Sequence, residues 1–315
     1  MKLIFMGTPD FSVGTLDALI AAGHEITLVV SQPDKPKGRG HELQPTPVKE
    51  TALKHGLKVF QPRKLRDPET VAVLENTPAD AIVVIAFGQI VPASILHMKK
   101  YGCINVHASL LPKYRGAAPI QWAVIDGEEE SGVTIMQMDE GLDTGDMLLK
   151  GAVKLDKKET GGSLFEKLGA LGASLCVEAL EKLEAGELKP EKQGESPTAY
   201  AGMLTKEMGC IDWNKSAEEL ERLIRGLNPW PSAYTKLGEK TLKIWAADVC
   251  AASEKEAEKQ AKCGEITEVT KNFFCVACGE GSLKITELQL QGKKRMDTAA
   301  FLRGFHLEPG MKLGE

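Results

Sequence analysis

Two polar side chains, Asn105 and His107, stand two residues apart within an otherwise apolar stretch of the sequence. Because the side chains of a strand alternate between its faces, this spacing predicts that both project from one face. An amide there can donate a hydrogen bond to a developing oxyanion, and an imidazole can exchange a proton or carry positive charge. The pair therefore suits acyl transfer at a strand end, where open α/β sheets bind ligands. The same pattern also fits a strand end that only hydrogen-bonds a neighbouring loop.

A third candidate for this chemistry, Asp143, lies in an acidic loop that glycines interrupt after the apolar run 133–138. Its carboxylate can orient His107, pair with the protonated ring, or hold a water that carries a proton. Neighbouring Asp139 and Asp146 fit equally well as turn residues. Because the acidic spacing does not match a calcium-binding loop, we expect no metal at this position.

Two further patterns point to cofactors, but both are incomplete. Cys275 and Cys278 form a CxxC pair with Cys263 nearby, yet no second ligand pair stands at zinc-binding spacing. We therefore expect ordinary thiols and no metal site. The loop that begins at Gly7 has Pro9 where a dinucleotide-binding fold carries its second glycine, which argues against a nicotinamide cofactor.

The elements that would position these residues follow an alternation of short apolar runs and amphipathic stretches. This alternation predicts βαβ units around a parallel sheet, with strands that are buried on both faces. The predicted strands are Leu3–Met6, Ile26–Val30, Leu57–Phe60, Ala81–Ala86 and Ile104–Val106. We expect the first helix to begin with Thr8 as its N-cap and Pro9 as its first residue.

The second half of the chain has a different pattern. After a long helical stretch that ends at Gly186, residues 187–198 are rich in proline, glycine and charge, which predicts a linker. A helix at 217–227 follows, and then short alternating segments separated by glycine, asparagine and charged residues. Such segments predict a small β-barrel.

Composition limits the location and the partners of the protein. Hydrophobic residues make up 43% and charged residues 26% of the chain, which is ordinary globular usage. No apolar run reaches the roughly 20 residues that a membrane helix needs, and no basic leader precedes the first apolar run, so we expect a cytoplasmic protein. The seven scattered cysteines fit a reducing compartment. A net charge of -5 does not indicate nucleic-acid binding, although it leaves room for a basic face.

Long stretches around the candidate residues resemble one family. The sequences GCINVHASLLPKYRGAAPIQWAV, residues 102–124, and GVTIMQMDEGLDTGDML, residues 132–148, are closely similar to those of methionyl-tRNA formyltransferases. The similarity extends from FMGTPDFS near the start, through residues 31–49, to NPWPSAYT at 228–235 and the final strands. It therefore covers most of the chain.

The resemblance implies a reaction and its substrates. The formyl donor would be 10-formyltetrahydrofolate, and the acceptor would be the amino group of methionine esterified to initiator tRNA. The catalytic residues would be Asn105, His107 and Asp143. The folate would lie against two segments, which consist of Ser109, Leu110, Leu111, Pro112, Phe87, Gly88, Gln89, Ile90 and Val91.

A tRNA acceptor requires a basic surface. Residues 32–47 are a long connection after a strand, and their prolines and glycines predict irregular structure. The resemblance implies that this insertion reaches the acceptor end of the tRNA. The expected tRNA contacts are Lys35, Lys37, Arg39, Lys293, Lys294 and Arg295.

We accordingly expect a monomer with a Rossmann-like parallel-sheet catalytic domain at 1–189, a linker at 190–204, and an OB-like β-barrel domain at 205–315 that helps to bind tRNA. The nearest alternative is a related folate-dependent formyltransferase that acts on glycinamide ribotide or an amino sugar nucleotide, because such enzymes share the Asn, His and Asp set. A non-enzymatic RNA-binding protein on the same scaffold is a further alternative. The basic insertion and the terminal domain favour a tRNA acceptor, since a small acceptor would need neither.

Overall fold

The computed structural model describes residues 1–37, 42–250 and 261–314. The chain divides into two compact units. The first unit comprises Met1–Pro119, Glu130–Lys154 and Phe165–Ala201, and the second comprises Ile120–Glu129, Leu155–Leu164 and Gly202–Glu315. Two short segments that precede residue 189 thus belong to the second unit. The functional division at 1–189, 190–204 and 205–315 stays a prediction.

A mixed sheet forms the centre of the first unit. In chain order its strands and those of a separate hairpin are β1 (Lys2–Gly7), β2 (Glu25–Val30), β3 (Lys35–Lys37), β4 (Glu42–Gln44), β5 (Val59–Phe60), β6 (Ala81–Ile85), β7 (Cys103–His107), β8 (Glu130–Gln137) and β9 (Met147–Lys154). The seven-stranded sheet has the order β5-β2-β1-β6-β7-β8-β9, and β3 pairs with β4. The strands from β5 to β7 in this order run parallel, whereas β8 and β9 pair antiparallel. The predicted Rossmann-like core is confirmed.

The apolar runs explain the strands of this core. All five predicted strands are present within one or two residues of their expected bounds. The strand β6 is buried along its whole length, and β1 is buried after its first residue. Strands that are covered on both faces need such continuous apolar runs.

Eight α-helices lie within the described residues. They are α1 (Asp10–Ala21), α2 (Pro47–Lys54), α3 (Pro68–Asn76), α4 (Ala93–Leu96), α5 (Pro119–Ile125), α6 (Gly161–Ala185), α7 (Ala217–Gly226) and α8 (Thr298–Leu302). The prediction that Thr8 caps α1 is wrong, because Pro9 holds the N-cap position and no side chain caps the helix. Thr8 Oγ1 instead donates a hydrogen bond to Phe87 O at 3.0 Å. Across residues 1–37, 42–250 and 261–314, every helix is too short or too polar to cross a bilayer.

An antiparallel sheet forms most of the second unit. Its strands are β10 (Ala233–Leu237), β11 (Lys240–Val249), β12 (Ile266–Val269), β13 (Phe274–Ala277), β14 (Ser282–Leu290) and β15 (Met296–Asp297). Five strands follow the order β10-β11-β14-β13-β12, and β15 pairs with β14. The prediction of an antiparallel β domain after the Rossmann-like core is confirmed. Among the strands of the described ranges β10 and β12 end the sheet, so the barrel closure that we expected is not observed there.

Candidate active site

Asn105 and His107 lie at the carboxyl end of β7, between the parallel strand β6 and the antiparallel strand β8. Val106 points to the opposite face, where α6 covers it, since a Cβ atom built on Gly172 would meet Val106 Cγ1 at 3.0 Å. The amide of Asn105 is half-buried and has no hydrogen-bond partner within residues 1–37, 42–250 and 261–314. This amide is therefore available to a ligand.

The ring of His107 is held on both nitrogens. Nε2 lies 3.0 Å from Tyr114 O, and Nδ1 lies 3.6 Å from Asp143 Oδ1. A carbonyl oxygen can only accept, so Nε2 carries a hydrogen and donates to Tyr114 O. A second proton, on Nδ1, would make the ring an imidazolium and would point at the carboxylate. The side chains of His107 and Asp143 are only 6% and 13% exposed, which limits the access of water to this pair.

Asp143 reaches His107 through an unusual backbone conformation. Its φ angle is +55°, in the left-handed region that only a few non-glycine residues adopt. Its Oδ2 accepts a hydrogen bond from Gly116 N at 2.9 Å. Gly145 lies so close to β8 that a Cβ atom there would meet Gln137 O at 1.8 Å, which excludes any larger residue. The LDTG sequence therefore fits this loop sterically.

The segment after β7 folds back over the strand through Thr134 of β8. Thr134 Oγ1 accepts from Leu111 N at 3.0 Å and donates to Ser109 O at 2.7 Å. Ser109 and Leu111 are each only 1% exposed, and Leu111 packs with Met136. The two residues thus shape the backbone rather than present side chains to a ligand.

A cavity of about 310 Å³ borders this segment. Its lining residues are Leu110, Pro112, Lys113, Tyr114, Glu130, Ser131 and Pro197. Two of the four residues of the predicted SLLP folate contact, Leu110 and Pro112, therefore line the cavity. The second predicted folate segment, residues 87–91, does not line it.

The segment Phe87–Val91 follows β6, the strand next to β7. Phe87 and Val91 are buried in the core of the first unit. Gln89 accepts from Leu65 N at 3.0 Å and donates to Arg63 O at 3.2 Å. Gly88 is exposed and so is Ile90, at 84%. Only these last two residues are open to a ligand.

Several residues that hold the site were missed by sequence reasoning, because residues 187–198 were interpreted as a linker. The amide of Gln193 donates to Asp143 O at 2.9 Å and to Gly145 O at 2.7 Å. Thr198 Oγ1 accepts from Tyr114 N at 2.8 Å. No periodicity marks such residues, since each acts through single long-range contacts.

Tyr200 lies near the loop that carries Asp143. Burial raises the pKa of Tyr200, the negative charge of Asp143 raises it further, and Arg115 partly opposes both effects. The phenol is therefore neutral at physiological pH and can serve as a hydrogen-bond donor or acceptor. Its side chain is 51% exposed.

The predicted irregular insertion at 32–47 is partly regular. Lys35 and Lys37 lie in β3, which pairs with β4 as a two-stranded hairpin, so the expectation of irregular structure is wrong there. Arg39 lies outside the described residues. Lys35 is exposed. Lys49 Nζ anchors the base of the hairpin, since it lies 2.6 Å from Asp34 Oδ2.

Asp34 itself is held by two side chains. Gln61 Nε2 donates to Asp34 Oδ1 at 2.7 Å, and Lys49 contacts the other oxygen. The hydrogen bond from Gln61, followed by that from Lys49, holds the pKa of Asp34 below its usual value. Asp34 therefore stays ionised at neutral pH and can keep its ion pair with Lys49.

The basic cluster of the second unit lies in the turn between β14 and β15. Lys293 and Lys294 are exposed. Arg295 makes a bidentate pair with Glu287 at 2.6 Å for both contacts, and its guanidinium lies 4.6 Å from the centre of the Trp245 ring. The charge of Arg295 is thus compensated by Glu287, whereas the two lysines have no ion pair with residues 1–37, 42–250 or 261–314.

In the described ranges, no group of three or more His, Cys, Asp or Glu side chains is arranged to hold a metal ion. Cys275 and Cys278 are buried in β13 and just after it. Cys250 Sγ lies 3.3 Å from Cys275 Sγ. Burial raises the pKa of the Cys278 thiol to about 12.

Family models and curated relatives match both parts of the chain. A family model described as formyl transferase matches residues 1–180, and one described as formyl transferase, C-terminal domain, matches residues 203–306. A methionyl-tRNA formyltransferase of Lachnospira eligens is 59% identical over 315 residues, which are 100% of this chain and 100% of that protein.

Two solved structures are similar in fold. An N-formyltransferase from Helicobacter canadensis, in complex with folinic acid and dTDP-3-aminofucose, has a TM-score of 0.68 at 17% identity and matches 94% of this chain and 100% of its own. HypX from Aquifex aeolicus, in complex with tetrahydrofolic acid, has a TM-score of 0.62 at 20% identity over 98% of this chain and 48% of its own. At these identities the likeness shows the fold alone.

Proposed function

Because the chain belongs to the methionyl-tRNA formyltransferase family, we propose that it transfers the formyl group of 10-formyltetrahydrofolate to the amino group of methionyl-initiator tRNA. The product, N-formylmethionyl-tRNA, serves translation initiation. One observation carries the proposal. An Asn105 amide with no partner among the described residues stands beside His107, whose ring faces Asp143.

The surroundings of this set fit a folate donor, which is a substrate and supplies the formyl carbon. Leu110 and Pro112 line a cavity at the lower end of the roughly 300–1,000 Å³ that ligand pockets span. Gly88 and Ile90 are open at the end of the neighbouring strand. We propose that these four residues contact the folate, and that Ser109, Leu111, Phe87, Gln89 and Val91 hold the backbone beneath them.

In the proposed reaction, the neutral methionyl amine attacks the formyl carbon, whose oxygen becomes an oxyanion. Asn105 Nδ2 donates a hydrogen bond to this oxyanion, which is stronger in the transition state than in the ground state. The bond between the formyl carbon and the folate nitrogen then breaks. The proton that the amine loses passes to that nitrogen, so protons balance without a cysteine or serine nucleophile.

His107 contributes through its position between two acceptors. Its Nε2–H already donates to Tyr114 O, so the same group reaches the oxyanion only as a shared donor or after the Tyr114 carbonyl shifts. A proton on Nδ1 makes the ring an imidazolium that Asp143 stabilises at 3.6 Å. We propose that this positive charge stabilises the oxyanion and that His107 and Asp143 relay the proton.

The acceptor would be held by basic residues. We propose phosphate contacts from Lys35, Lys37 and Arg39 and from the turn residues Lys293 and Lys294, with Arg295 as a weaker contact because Glu287 pairs with it. We also propose that the protein acts as a monomer in the cytoplasm, where charged tRNA is available. Sedimentation of a stable dimer at the concentrations used in the assays would contradict the monomer.

The alternative acceptor is a small amine such as an amino sugar nucleotide. The terminal domain does not discriminate between the two, contrary to our expectation, since the Helicobacter canadensis N-formyltransferase matches 94% of this chain with all of its own. Identity of 59% over the full length to a methionyl-tRNA formyltransferase favours the tRNA acceptor.

An acceptor panel tests the proposal. The protein is mixed with 10-formyltetrahydrofolate and, in separate reactions, with methionyl-initiator tRNA, methionyl-elongator tRNA, glycinamide ribotide or a dTDP-linked amino sugar. We expect formylmethionine on the initiator tRNA at a kcat/KM well above that of every other acceptor. Formylation of a small amine and of neither tRNA would establish the alternative.

A further inference from the structure

The amide of Gln193 uses every hydrogen-bonding position that it has. Its two N–H groups donate to Asp143 O at 2.9 Å and Gly145 O at 2.7 Å. Its oxygen accepts from Arg115 Nε at 3.0 Å and from Arg115 Nη2 at 2.8 Å. A glutamine amide has two donor and two acceptor positions, so none is left over. All four bonds go to residues that flank the candidate site.

The partners of Gln193 lie on both sides of His107. Asp143 faces the Nδ1 side of the ring, and Arg115 directly follows Tyr114, whose carbonyl oxygen accepts from Nε2. Gln193 therefore connects the two segments that fix the imidazole.

The chain segment that contains Gln193 makes further hydrogen bonds to the residues on the Nε2 side of His107. Thr198 Oγ1 accepts from Tyr114 N at 2.8 Å, and Ala201 N donates to Arg115 O at 2.8 Å. Arg115 Nη2 also donates to Gly194 O at 2.9 Å. Residues 193–201, which composition presents as a linker, are thus bonded along their length to the two segments around His107.

The backbone of Asp143 is in the left-handed region, which aspartate adopts more readily than most non-glycine residues. Neighbouring contacts hold it in this one conformation. Gln193 binds the carbonyl groups of Asp143 and Gly145, which are on the two sides of the turn. Without these bonds, the turn can relax and withdraw the carboxylate from Nδ1.

We propose that Gln193 is a positioning residue for formyl transfer. It acts by holding the Asp143 turn and the Tyr114–Arg115 segment in fixed positions on the two sides of His107. This inference rests on the proposed function. A displacement of about 1 Å in a reacting constellation can cost about 10²-fold in rate. Protein atoms take every hydrogen-bonding position of the Gln193 amide, so we expect its loss to lower kcat and to leave both Michaelis constants nearly unchanged.

Two variants and a control separate this role from that of a simple tether. Gln193→Met keeps the length of the side chain and removes all four bonds. Gln193→Glu keeps an acceptor for Arg115 but replaces the N–H donors, so that oxygen faces the carbonyls of Asp143 and Gly145. Lys192→Ala is the matched control, because Lys192 is the adjacent residue and is exposed.

The measurements are kcat and KM for formylation of methionyl-initiator tRNA, and the ¹⁵N shifts of the His107 ring in protein labelled at histidine. We expect kcat to fall about 10–100-fold in both Gln193 variants, with KM within about twofold and altered His107 shifts. Lys192→Ala should match the wild type in all three. The ring shifts report on position without any need for turnover.

Three results would overturn the inference. Wild-type kcat in Gln193→Met would show that the four bonds do not position the site. Wild-type kcat in Gln193→Glu would assign the effect to Arg115 alone. A loss of kcat with unchanged His107 shifts would show that Gln193 does not act through the ring. Failure of the proposed function is distinct, because the wild type itself would then formylate no tRNA.

Discussion

Asp143 combines a strained backbone with a carboxylate that is almost out of contact with water. Its φ angle of +55° lies in the left-handed region, which costs most non-glycine residues on the order of 1–3 kcal/mol and aspartate less. Gly116 N–H on the carboxylate and the Gln193 amide on the main-chain carbonyl are such contacts. The strain is therefore consistent with a residue whose side chain must face His107 rather than solvent.

Asp143→Asn should retain the fold and lose turnover. Asparagine tolerates the left-handed region, and its amide oxygen can still accept from Gly116 N–H. The amide nitrogen would then donate to His107 Nδ1, which keeps the ring neutral. We expect kcat to fall about 10²–10⁴-fold, with the unfolding midpoint within about 4 °C of the wild type. Calorimetry and initial rates measure both, and undiminished kcat would remove Asp143 from the mechanism.

The buried thiols give a second prediction at this scale. Burial raises the pKa of Cys103 and of Cys176 to about 12, so both remain thiols rather than thiolates at pH 8. Cys210 is exposed. Iodoacetamide should therefore modify Cys210 in the native protein and spare the two buried thiols, without loss of kcat. Peptide mass spectrometry checks the sites, and inactivation that follows alkylation of a cysteine would contradict transfer without a thiol nucleophile.

At the residue scale, local geometry made part of the site predictable. The pairing of Asn105 with His107 follows from the alternation of strand side chains, which depends only on neighbours in sequence. Gln193 was not predictable in this way, because its partner carbonyl on Asp143 is 50 residues distant. Its role depends on a tertiary contact that no composition or period encodes.

Among the elements, α6 sets the position of β7. The helix brings Gly172 against Val106 and Val133, so a Cβ atom there would lie 3.0 Å from Val106 Cγ1. Gly169 of the same helix has more room, with ring atoms of Phe11 at 3.8 Å. The close approach at Gly172 thus places α6 directly against β7, the strand that carries Asn105 and His107.

Three glycine-to-alanine substitutions test this contact. Gly169→Ala and the exposed control Gly14→Ala should each stabilise a helix by up to about 1 kcal/mol, because alanine has the higher helix propensity. Gly172→Ala should lose this gain, since its methyl group crowds Val106, and overpacking costs about 1–3 kcal/mol. Urea unfolding measures the free energies. An equal gain at all three positions would show that α6 does not approach β7 as described.

The elements of the parallel core were predictable, and those at its margins were not. Five apolar runs predicted five strands because buried strands need continuous apolar sequence. The antiparallel direction of β8 and β9 was not predicted, since strand direction depends on the connections rather than on the pattern. The hairpin of β3 and β4 was hidden by its prolines and glycines, although Lys49 and Gln61 fix its base through Asp34.

On the scale of the molecule, the chain enters the second unit three times, through Ile120–Glu129, Leu155–Leu164 and Gly202–Glu315. Proline, glycine and charge are concentrated just before the last of these segments. The two short segments, Ile120–Glu129 and Leu155–Leu164, have no such composition. The sequence pattern therefore does not indicate that they belong to the second unit.

Salt dependence tests how the whole protein would bind its acceptor. If basic side chains contact phosphates, KM for methionyl-tRNA should rise steeply with salt, and each lost contact should reduce the slope by about one. We expect the double variant Lys293→Gln and Lys294→Gln to show this reduction. Arg295→Gln should change the slope less, because Glu287 already pairs with Arg295. The matched control is Lys182→Gln, since Lys182 pairs with Glu178 at 2.6 Å.

A KM for methionyl-tRNA that does not respond to salt would contradict phosphate contacts from either group of lysines. An equal change of slope per charge removed in the Lys182 control would show that net charge, rather than the turn between β14 and β15, accounts for the effect. Both outcomes can be read from initial rates at a few ionic strengths.

The most direct test of the central claim is single-turnover formylation of methionyl-initiator tRNA by the wild type, Asn105→Ala and His107→Ala at saturating 10-formyltetrahydrofolate. The Asn105 amide has no partner among the described residues, so its removal should cost little stability. We predict rapid formylmethionine formation by the wild type and a rate about 10²–10³-fold lower in each variant that remains folded. A near-normal rate in either variant would contradict the account.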